Sequence, residues 1–104
     1  MSHYLYHGKL SAKEGQGAAL EQILLQAAKT VESAQGCRMY LISKDKQDAD
    51  SVWVTEVWNS KEDHDNSLKL DSVKAVIMQA MPIIDGPPRK GQELDVLGGL
   101  FPGN

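Results

Sequence analysis

The sequence predicts an α+β domain in which four strands and three helices follow one another in the order β-α-β-β-α-α-β. Two neighbouring stretches, 37–44 and 51–58, carry the alternating, β-branched and aromatic pattern of paired strands. Two other stretches, 16–34 and 73–84, repeat apolar residues every three or four positions, as one face of a helix does. With right-handed crossovers, this order gives the ferredoxin-like split βαβ arrangement, an antiparallel four-stranded sheet with its helices on one face.

The first strand and the first helix are predicted from the N-terminal third of the chain. Residues 3–10 are rich in aromatic and apolar side chains and lead into a polar loop at 13–15. One helical face comes next, made of Leu20, Leu24, Ala27, Val31 and Ala34. Gly36 lies where a glycine commonly ends a helix, so we expect this helix to cover 16–34.

A hairpin is predicted in the middle of the chain. Its first strand alternates between two sides, with Cys37, Met39 and Leu41 on one and Arg38, Tyr40 and Ile42 on the other. The Asp-rich segment 45–51 suits the connecting loop. The stretch 51–58 is the strongest strand signal in the chain, because valine, tryptophan and threonine dominate it.

The C-terminal half is predicted to hold two helices and the last strand. Ser60 is a suitable N-cap for the first helix, with Asp63 at the capping-box position, and the pair 71–72 resembles a second cap. An apolar stripe at helical spacing comes after it, made of Val73, Val76, Ile77, Ala80, Met81 and Ile84. Pro82 weakens the end of that helix, and the segment 85–88 stops it. Residues 92–97 are expected to form the last strand, and Gly98 opens a short tail, 98–104.

The composition indicates one domain, 1–104, and argues against nucleic acid as a partner. The net charge is −3 with no basic stripe, whereas phosphate binding needs clustered lysine and arginine. No apolar run approaches the roughly 20 residues of a membrane span, and no signal-peptide pattern is present, so we expect a cytoplasmic protein without membrane contact. Cys37 is the only cysteine and is expected to be a small core residue.

Both faces of the predicted sheet carry apolar side chains. Along 51–58, one face holds Val52, Val54, Glu56 and Trp58, and the other holds Trp53, Thr55 and Val57. The helices can cover only one of these faces, and the chain has no further segment for the other. We therefore expect a homodimer with C2 symmetry, in which a second copy packs sheet to sheet. The alternative is a loose monomer with a large exposed apolar patch.

The segment around the third strand resembles the antibiotic biosynthesis monooxygenase (ABM) family. A Gly-Cys pair at 36–37 opens the second strand, and a Glu-x-Trp-x-Ser pattern is matched by the run Glu56-Val57-Trp58-Asn59-Ser60-Lys61-Glu62-Asp63-His64. The resemblance implies two ferredoxin-like protomers paired into a dimeric α+β barrel. It also implies oxidation of a small quinol-like aromatic by O2, without a bound cofactor or metal. Many members carry histidines where this chain has Ser67 and Ser72, so a mechanism that needs those histidines is not expected.

The resemblance implies that Trp58 and His64 are catalytic residues. In related enzymes the tryptophan at this place lines the substrate cavity, and His64 falls where some relatives have an aromatic hydroxyl in the active site. A histidine there can accept a phenolic proton near neutral pH. The alternatives are core packing for Trp58 and a solvated position in the first helical turn for His64.

Four further residues are candidates for binding the substrate: Glu56, His7, Tyr40 and Met78. Glu56 places a carboxyl group in an apolar strand, where burial is expected to raise its pKa and to suit it as a base. Its alternative role is a structural ion pair with Arg38 or a lysine. The alternatives for the other three are strand packing for His7 and Tyr40 and core filling for Met78.

Three classes of function remain open from the sequence. The first is a cofactor-independent monooxygenase of quinols or polyphenols, and the substrate is then a small aromatic molecule. The second is another enzyme on the same scaffold, such as an isomerase of small phosphorylated or hydroxylated ketones, which a pocket lined by cations would favour. The third is a non-enzymatic ligand-binding or stress-protective dimer, favoured by a pocket too small for an aromatic ring or without a titratable group.

Overall fold

The computed structural model describes residues 2–87 and 89–100. Its elements are β1 (His3–Ser11), α1 (Gly17–Val31), β2 (Cys37–Lys44), β3 (Ser51–Trp58), α2 (Lys61–Ser67), α3 (Asp71–Ala80) and β4 (Gln92–Val96), and a 3₁₀ turn, Met81–Ile83, continues α3. The strands form one antiparallel sheet in the order β2-β3-β1-β4, so the predicted ferredoxin-like arrangement is confirmed. The predicted tail, 98–104, is described as far as Leu100, and 101–104 lie outside the described residues.

The two longer helices cover one face of the sheet and build the core there. One buried cluster joins Leu20 and Leu24 of α1 to Val54 of β3. A second cluster joins Val31 at the end of α1 to Trp58 at the end of β3. Each large apolar side chain buried in this way contributes about 1.5–3 kcal/mol to folding. Within the described residues, no helix is long and apolar enough to cross a lipid bilayer.

The second face of the sheet, called the open face from here on, is covered by no helix of the described chain. It carries His3, Leu5 and His7 of β1, Met39 and Leu41 of β2, Trp53, Thr55 and Val57 of β3, and Leu94 of β4. Leu41 and Leu94 are 51% and 49% exposed. The predicted division of β3 into two faces with apolar residues on both is therefore confirmed, since Glu56 and Trp58 are buried on the helix side.

The end of α1 differs from the prediction. The helix ends at Val31, before the predicted limit at 34, and a turn leads from there to β2. Gly36 does not end the helix directly but turns the chain into the strand with a φ of +81°. A side chain at this position would also collide with the carboxylate of Asp63, so glycine is required here for two reasons.

Of the two predicted helix caps, one is confirmed and the other is wrong. Ser60 caps α2 as predicted, because its Oγ accepts a hydrogen bond of 3.1 Å from the backbone N–H of Asp63. The cap predicted at 71–72 is wrong. Asp71 already has helical geometry, and the residue at the N-cap position is Leu70, whose side chain has no oxygen to accept a hydrogen bond.

Candidate active site

A cavity of about 510 Å³ lies between the sheet and the helices α1 and α3. Its walls are mainly apolar and include Leu24, Ala27 and Val31 from α1 and Val73, Val76 and Ile77 from α3. Pockets that bind small organic ligands commonly measure roughly 300–1,000 Å³, so this cavity can hold an aromatic ring.

Glu56 brings a carboxyl group to the sheet wall of this cavity. Its Oε1 accepts a hydrogen bond of 2.9 Å from Nε1 of Trp58, and both side chains are buried. Burial raises the pKa of Glu56, and the hydrogen bond from Trp58 and the proximity of His64 oppose this only in part. Arg38, the alternative partner considered from the sequence, instead donates from Nε to Oδ1 of Asn59 at 2.7 Å.

His64 faces Glu56 from the middle of α2. Its Nε2 lies 3.8 Å from Oε1 of Glu56, and its Nδ1 lies 2.9 Å from Oδ1 of Asp65. The hydrogen bonds from Lys61 and His64 hold the pKa of Asp65 below its usual range. Because a carboxylate can only accept, Nδ1 of His64 donates this hydrogen bond, so in the neutral imidazole Nε2 has the lone pair that a base needs.

Three aromatic rings hold the plane of the His64 imidazole. Tyr6 stacks on it with centroids 5.6 Å apart and an interplanar angle of 24°, Tyr4 lies at 5.1 Å, and Trp58 meets it edge-on at 6.0 Å. The hydroxyl of Tyr6 accepts a hydrogen bond of 2.9 Å from the backbone N–H of Gly91. A Cβ on Gly91 would lie 2.7 Å from Cζ of Tyr6, so this glycine allows the close approach.

Three cationic side chains, Lys61, Arg89 and Lys90, lie at the solvent side of the cavity and are called the cationic rim from here on. Lys61 and Lys90 flank Glu93, with Nζ to carboxylate distances of 3.8 and 3.4 Å. Glu93 also accepts a hydrogen bond of 2.9 Å from the hydroxyl of Tyr4. The hydrogen bonds from Tyr4 and then Lys90 hold the pKa of Glu93 below its usual range, so the rim contains one carboxylate.

Three residues predicted for the site, His64, Glu56 and Tyr40, line the cavity together. Burial, reinforced by the Glu56 carboxyl group, raises the pKa of Tyr40 well above its usual range, so its hydroxyl stays protonated. Trp58 does not line the cavity, which corrects the prediction that it forms a wall. Its ring is fully buried and supports Glu56 and His64 from the core side.

The structure places His7 and Met78 away from the cavity, which corrects the prediction that they contact a substrate there. His7 lies on the open face, where it stacks on Trp53 at 4.9 Å and its Nδ1 lies 2.9 Å from Oγ1 of Thr55. The strand alternation of β1 turns it away from the helices. Met78 is 73% exposed, because the phase of α3 directs positions 77 and 81 to the cavity instead.

Sequence reasoning missed Tyr6, Asp65 and the cationic rim. Tyr6 lies opposite Glu56 in the pairing of β1 with β3, and Tyr40 lies opposite it in the pairing of β2 with β3. A signal for Tyr6 was present, because it shares a strand face with Tyr4 at the spacing of two residues. Asp65 comes directly after His64, and an acidic neighbour of a candidate base could have been considered as its orienting partner.

The chain is similar to proteins of one family along most of its length. The sequence profile described as "Antibiotic biosynthesis monooxygenase" matches residues 4–79. A protein from Chloroflexus aurantiacus J-10-fl, named "putative Antibiotic biosynthesis monooxygenase", is 38% identical, with 98% of this chain and 100% of that chain covered and a TM-score of 0.87. A protein of the same name from Caulobacter crescentus CB15 is 21% identical, with coverages of 93% and 92% and a TM-score of 0.84, which shows likeness of fold alone. No curated protein matches the chain.

Proposed function

The chain belongs to the antibiotic biosynthesis monooxygenase family, and from that membership we propose that it oxidises a small quinol- or polyphenol-like aromatic with O2 and without a bound cofactor. The family and the name of the Chloroflexus protein support an oxygenase-type enzyme. One observation carries the finer proposal. Nε2 of His64 lies 3.8 Å from Glu56 at the wall of a mainly apolar cavity of about 510 Å³.

The reaction needs an electron-rich substrate and no external reductant. A hydroquinone that has lost a proton can transfer an electron to O2, and the two radicals then combine. One oxygen atom enters the ring and the other leaves as water. The hydroquinone supplies all four electrons and becomes a hydroxyquinone, so atoms and electrons balance. An apolar cavity favours this chemistry because it keeps water away from the reactive intermediates.

Four polar side chains in and next to the cavity wall have separate tasks in this proposal. Nε2 of His64 takes the phenolic proton, and the carboxylate of Asp65 stabilises the imidazolium that forms. The protonated hydroxyl of Tyr40 donates a hydrogen bond to the phenolate oxygen. Glu56, whose pKa burial raises, lies 3.8 Å from the same nitrogen of His64, where a negative charge on it stabilises the imidazolium.

Oxygen consumption tests the proposal directly. Purified protein is mixed with a panel of freshly reduced benzo- and naphthohydroquinones, and O2 uptake is followed above the rate of autoxidation. We expect catalysed uptake with at least one member and one hydroxylated quinone formed per O2 consumed. Uptake no faster than autoxidation across the whole panel, with folded protein, would contradict the proposal.

A second candidate function is isomerisation of a small phosphorylated ketone, and the cationic rim favours it. The mainly apolar walls between α1 and α3 oppose it, since a sugar-like substrate would leave its hydroxyls without partners. Loss of a proton from carbon without O2 consumption, detected by exchange with deuterated solvent, would indicate isomerisation. The purely ligand-binding alternative has less support, because the cavity has room for an aromatic ring and titratable groups at its wall.

The open face is the surface through which we propose that two copies pair. Leu41 and Leu94 lie on it about half exposed, and in a monomer they would contribute to an apolar patch in water. Sedimentation equilibrium is expected to give twice the chain mass of 11.4 kDa. The double variant Leu41→Asp/Leu94→Asp is expected to give the single mass. Met78→Asp, on the exposed surface of α3, is the matched control that stays dimeric. A wild-type protein that remains single at high concentration would refute the pairing.

Gly91→Ala is expected to lower kcat for hydroquinone oxidation by about tenfold to 100-fold, the scale of a small misplacement in an active site. The new methyl group would lie 2.7 Å from both the His7 carbonyl oxygen and Cζ of Tyr6, so the Tyr6 ring must move from its stack on His64. Gly98→Ala is the matched control, because nothing lies within 4 Å of a Cβ there. Steady-state O2 uptake measures both variants, and equal rates for the two would contradict the role of Gly91.

A further inference from the structure

The charge at the cavity differs in sign from the charge of the whole chain. The protein has 11 basic and 14 acidic residues, a net charge of −3. Four of the basic residues, Lys9, Lys61, Arg89 and Lys90, line the cavity, whereas only Glu56 and Glu93 of the acidic residues do. The cavity that holds the candidate base is therefore lined by more basic than acidic residues, although the whole chain has a negative net charge.

These four cationic side chains do not contribute equally to the positive charge at the cavity. The Lys9 ammonium lies 5.9 Å from the ring centroid of Trp53, on the open face, so its charge is directed away from the cavity. Lys61 and Lys90 share one carboxylate, that of Glu93, and Lys61 is also paired with Asp65 at 2.9 Å.

The positive charge of Arg89 is not balanced by a neighbouring carboxylate in the part of the chain that the structure describes. Across residues 2–87 and 89–100, no carboxylate lies within ion-pair distance of its guanidinium. Glu93 compensates only part of the charge of Lys90, because Lys61 shares the same carboxylate. The uncompensated positive charge of the cationic rim therefore lies at Arg89 and Lys90, where a guanidinium and an ammonium can bind a carboxylate.

The cavity wall thus has two chemically different polar parts. One is the buried pair of His64 and Glu56, where a phenolic hydroxyl would lose its proton. The other is the partly solvated cationic rim, and apolar side chains of α1 and α3 line much of the remaining wall. A ligand that matches this arrangement has an aromatic body that carries a hydroxyl and a negatively charged group.

We infer that the substrate is a hydroxylated aromatic that carries an anionic group, such as a carboxylate, and that Arg89 and Lys90 bind this group at the cationic rim. This inference rests on the proposed function and names the substrate class for the same site. It assigns a specificity role to two residues that take no part in the oxidation itself. The bound anion also limits how the ring can be oriented toward His64.

The test compares 2,5-dihydroxybenzoate with its neutral methyl ester, which has the same ring hydroxyls. Binding is measured by calorimetry on the full chain without O2, so that no turnover occurs. We expect the acid to bind about tenfold more tightly than the ester at low salt, and the difference to shrink as ionic strength rises. The double variant Arg89→Gln/Lys90→Gln is expected to remove this preference and leave the affinity for the ester unchanged.

The matched control is Lys29→Gln/Lys74→Gln, which removes the same charge from positions on α1 and α3 that do not line the cavity. It is expected to keep the preference for the acid. Equal binding of acid and ester by the wild type, or an equal loss for both ligands in the rim variant, would overturn the inference.

A parallel measurement of O2 uptake separates this inference from the proposed function. A rim-dependent preference for the acid, without catalysed O2 uptake from these ligands or from any member of the hydroquinone panel, supports the anion site and contradicts the monooxygenase. Catalysed uptake at equal kcat/KM for acid and ester supports the monooxygenase and overturns the anion site.

Discussion

The His64→Gln variant is expected to lose about 100-fold to 10,000-fold in kcat/KM for an oxidisable hydroquinone, the usual contribution of a general base. Glutamine occupies a similar volume among the surrounding rings but cannot take a proton. The loss should lie mainly in kcat, because the base acts in the transition state. It should also shrink at alkaline pH, where the phenol ionises in solution and no longer needs the base. The pH profile of O2 uptake measures both effects.

A histidine on the open face supplies the control for this variant. His7→Gln changes a ring that lies away from the cavity, and it is expected to keep the wild-type pH profile. Thermal unfolding and solution mass of both variants show whether fold and pairing are intact. If folded His64→Gln keeps the rate of the wild type at neutral pH, His64 is not the base.

The Trp58→Ala variant is expected to lower the free energy of unfolding by about 3–5 kcal/mol, as for other large aromatic residues removed from a core. Trp58 is fully buried, and its loss leaves a void against Val31 and Val73. It also leaves Oε1 of Glu56 without its donor at 2.9 Å. Chemical denaturation at a constant protein concentration measures the change.

Trp58→Phe separates the loss of packing from the loss of the hydrogen bond, because it keeps most of the ring but removes the N–H donor. We expect a loss of about 1–3 kcal/mol, the cost of leaving one buried polar group unsatisfied. Without this donor the pKa of Glu56 should rise further. A carboxyl group whose pKa is higher in the folded than in the unfolded state contributes stability at pH values below its unfolded pKa, here 4.5. This contribution is lost as the pH rises through the folded pKa. The difference in free energy of unfolding between Trp58→Phe and the wild type should therefore be smallest below pH 4.5 and grow toward neutral pH.

The second tryptophan is the matched control for this experiment. Nε1 of Trp53 donates to Asp45, a residue at the surface, so water can replace the bond in Trp53→Phe. The expected loss is below about 1 kcal/mol. Equal losses for the two phenylalanine variants, or a deficit of Trp58→Phe that does not change with pH, would show that the bond to Glu56 does not stabilise the fold.

The strand limits were predictable because their signals are local, but the predicted alternation of β2 was wrong at Cys37, where a bulge before Met39 places Cys37 on the helix side. The limits of β2 and β3 agree with the predicted stretches 37–44 and 51–58, since alternation and β-branched residues are read within each strand. The N-cap at Ser60 was predictable for the same reason, because a cap involves residues three positions apart. The end of α1 was not predictable, because the turn after Val31 depends on packing against neighbouring elements.

The candidate site was predictable only in part. Glu56, Tyr40 and His64 were among the predicted residues and line the cavity, because a carboxyl in an apolar strand and the family pattern both appear along the chain. His7 and Met78 were misplaced because the sequence indicates a face but not which neighbour covers that face. Their side chains obey the correct periodicity, yet they point to the open face and to solvent.

By itself, the sequence determined the order of the elements, the family and the presence of apolar residues on both faces of the sheet, because these depend on periodicity and on short motifs. Only the tertiary structure decided that Tyr6 stacks on His64, that Trp58 supports the site from behind, and that Arg89 joins the cationic rim. The physical reason is that strand register and helix packing bring together residues distant in the chain, and no local pattern encodes those distances.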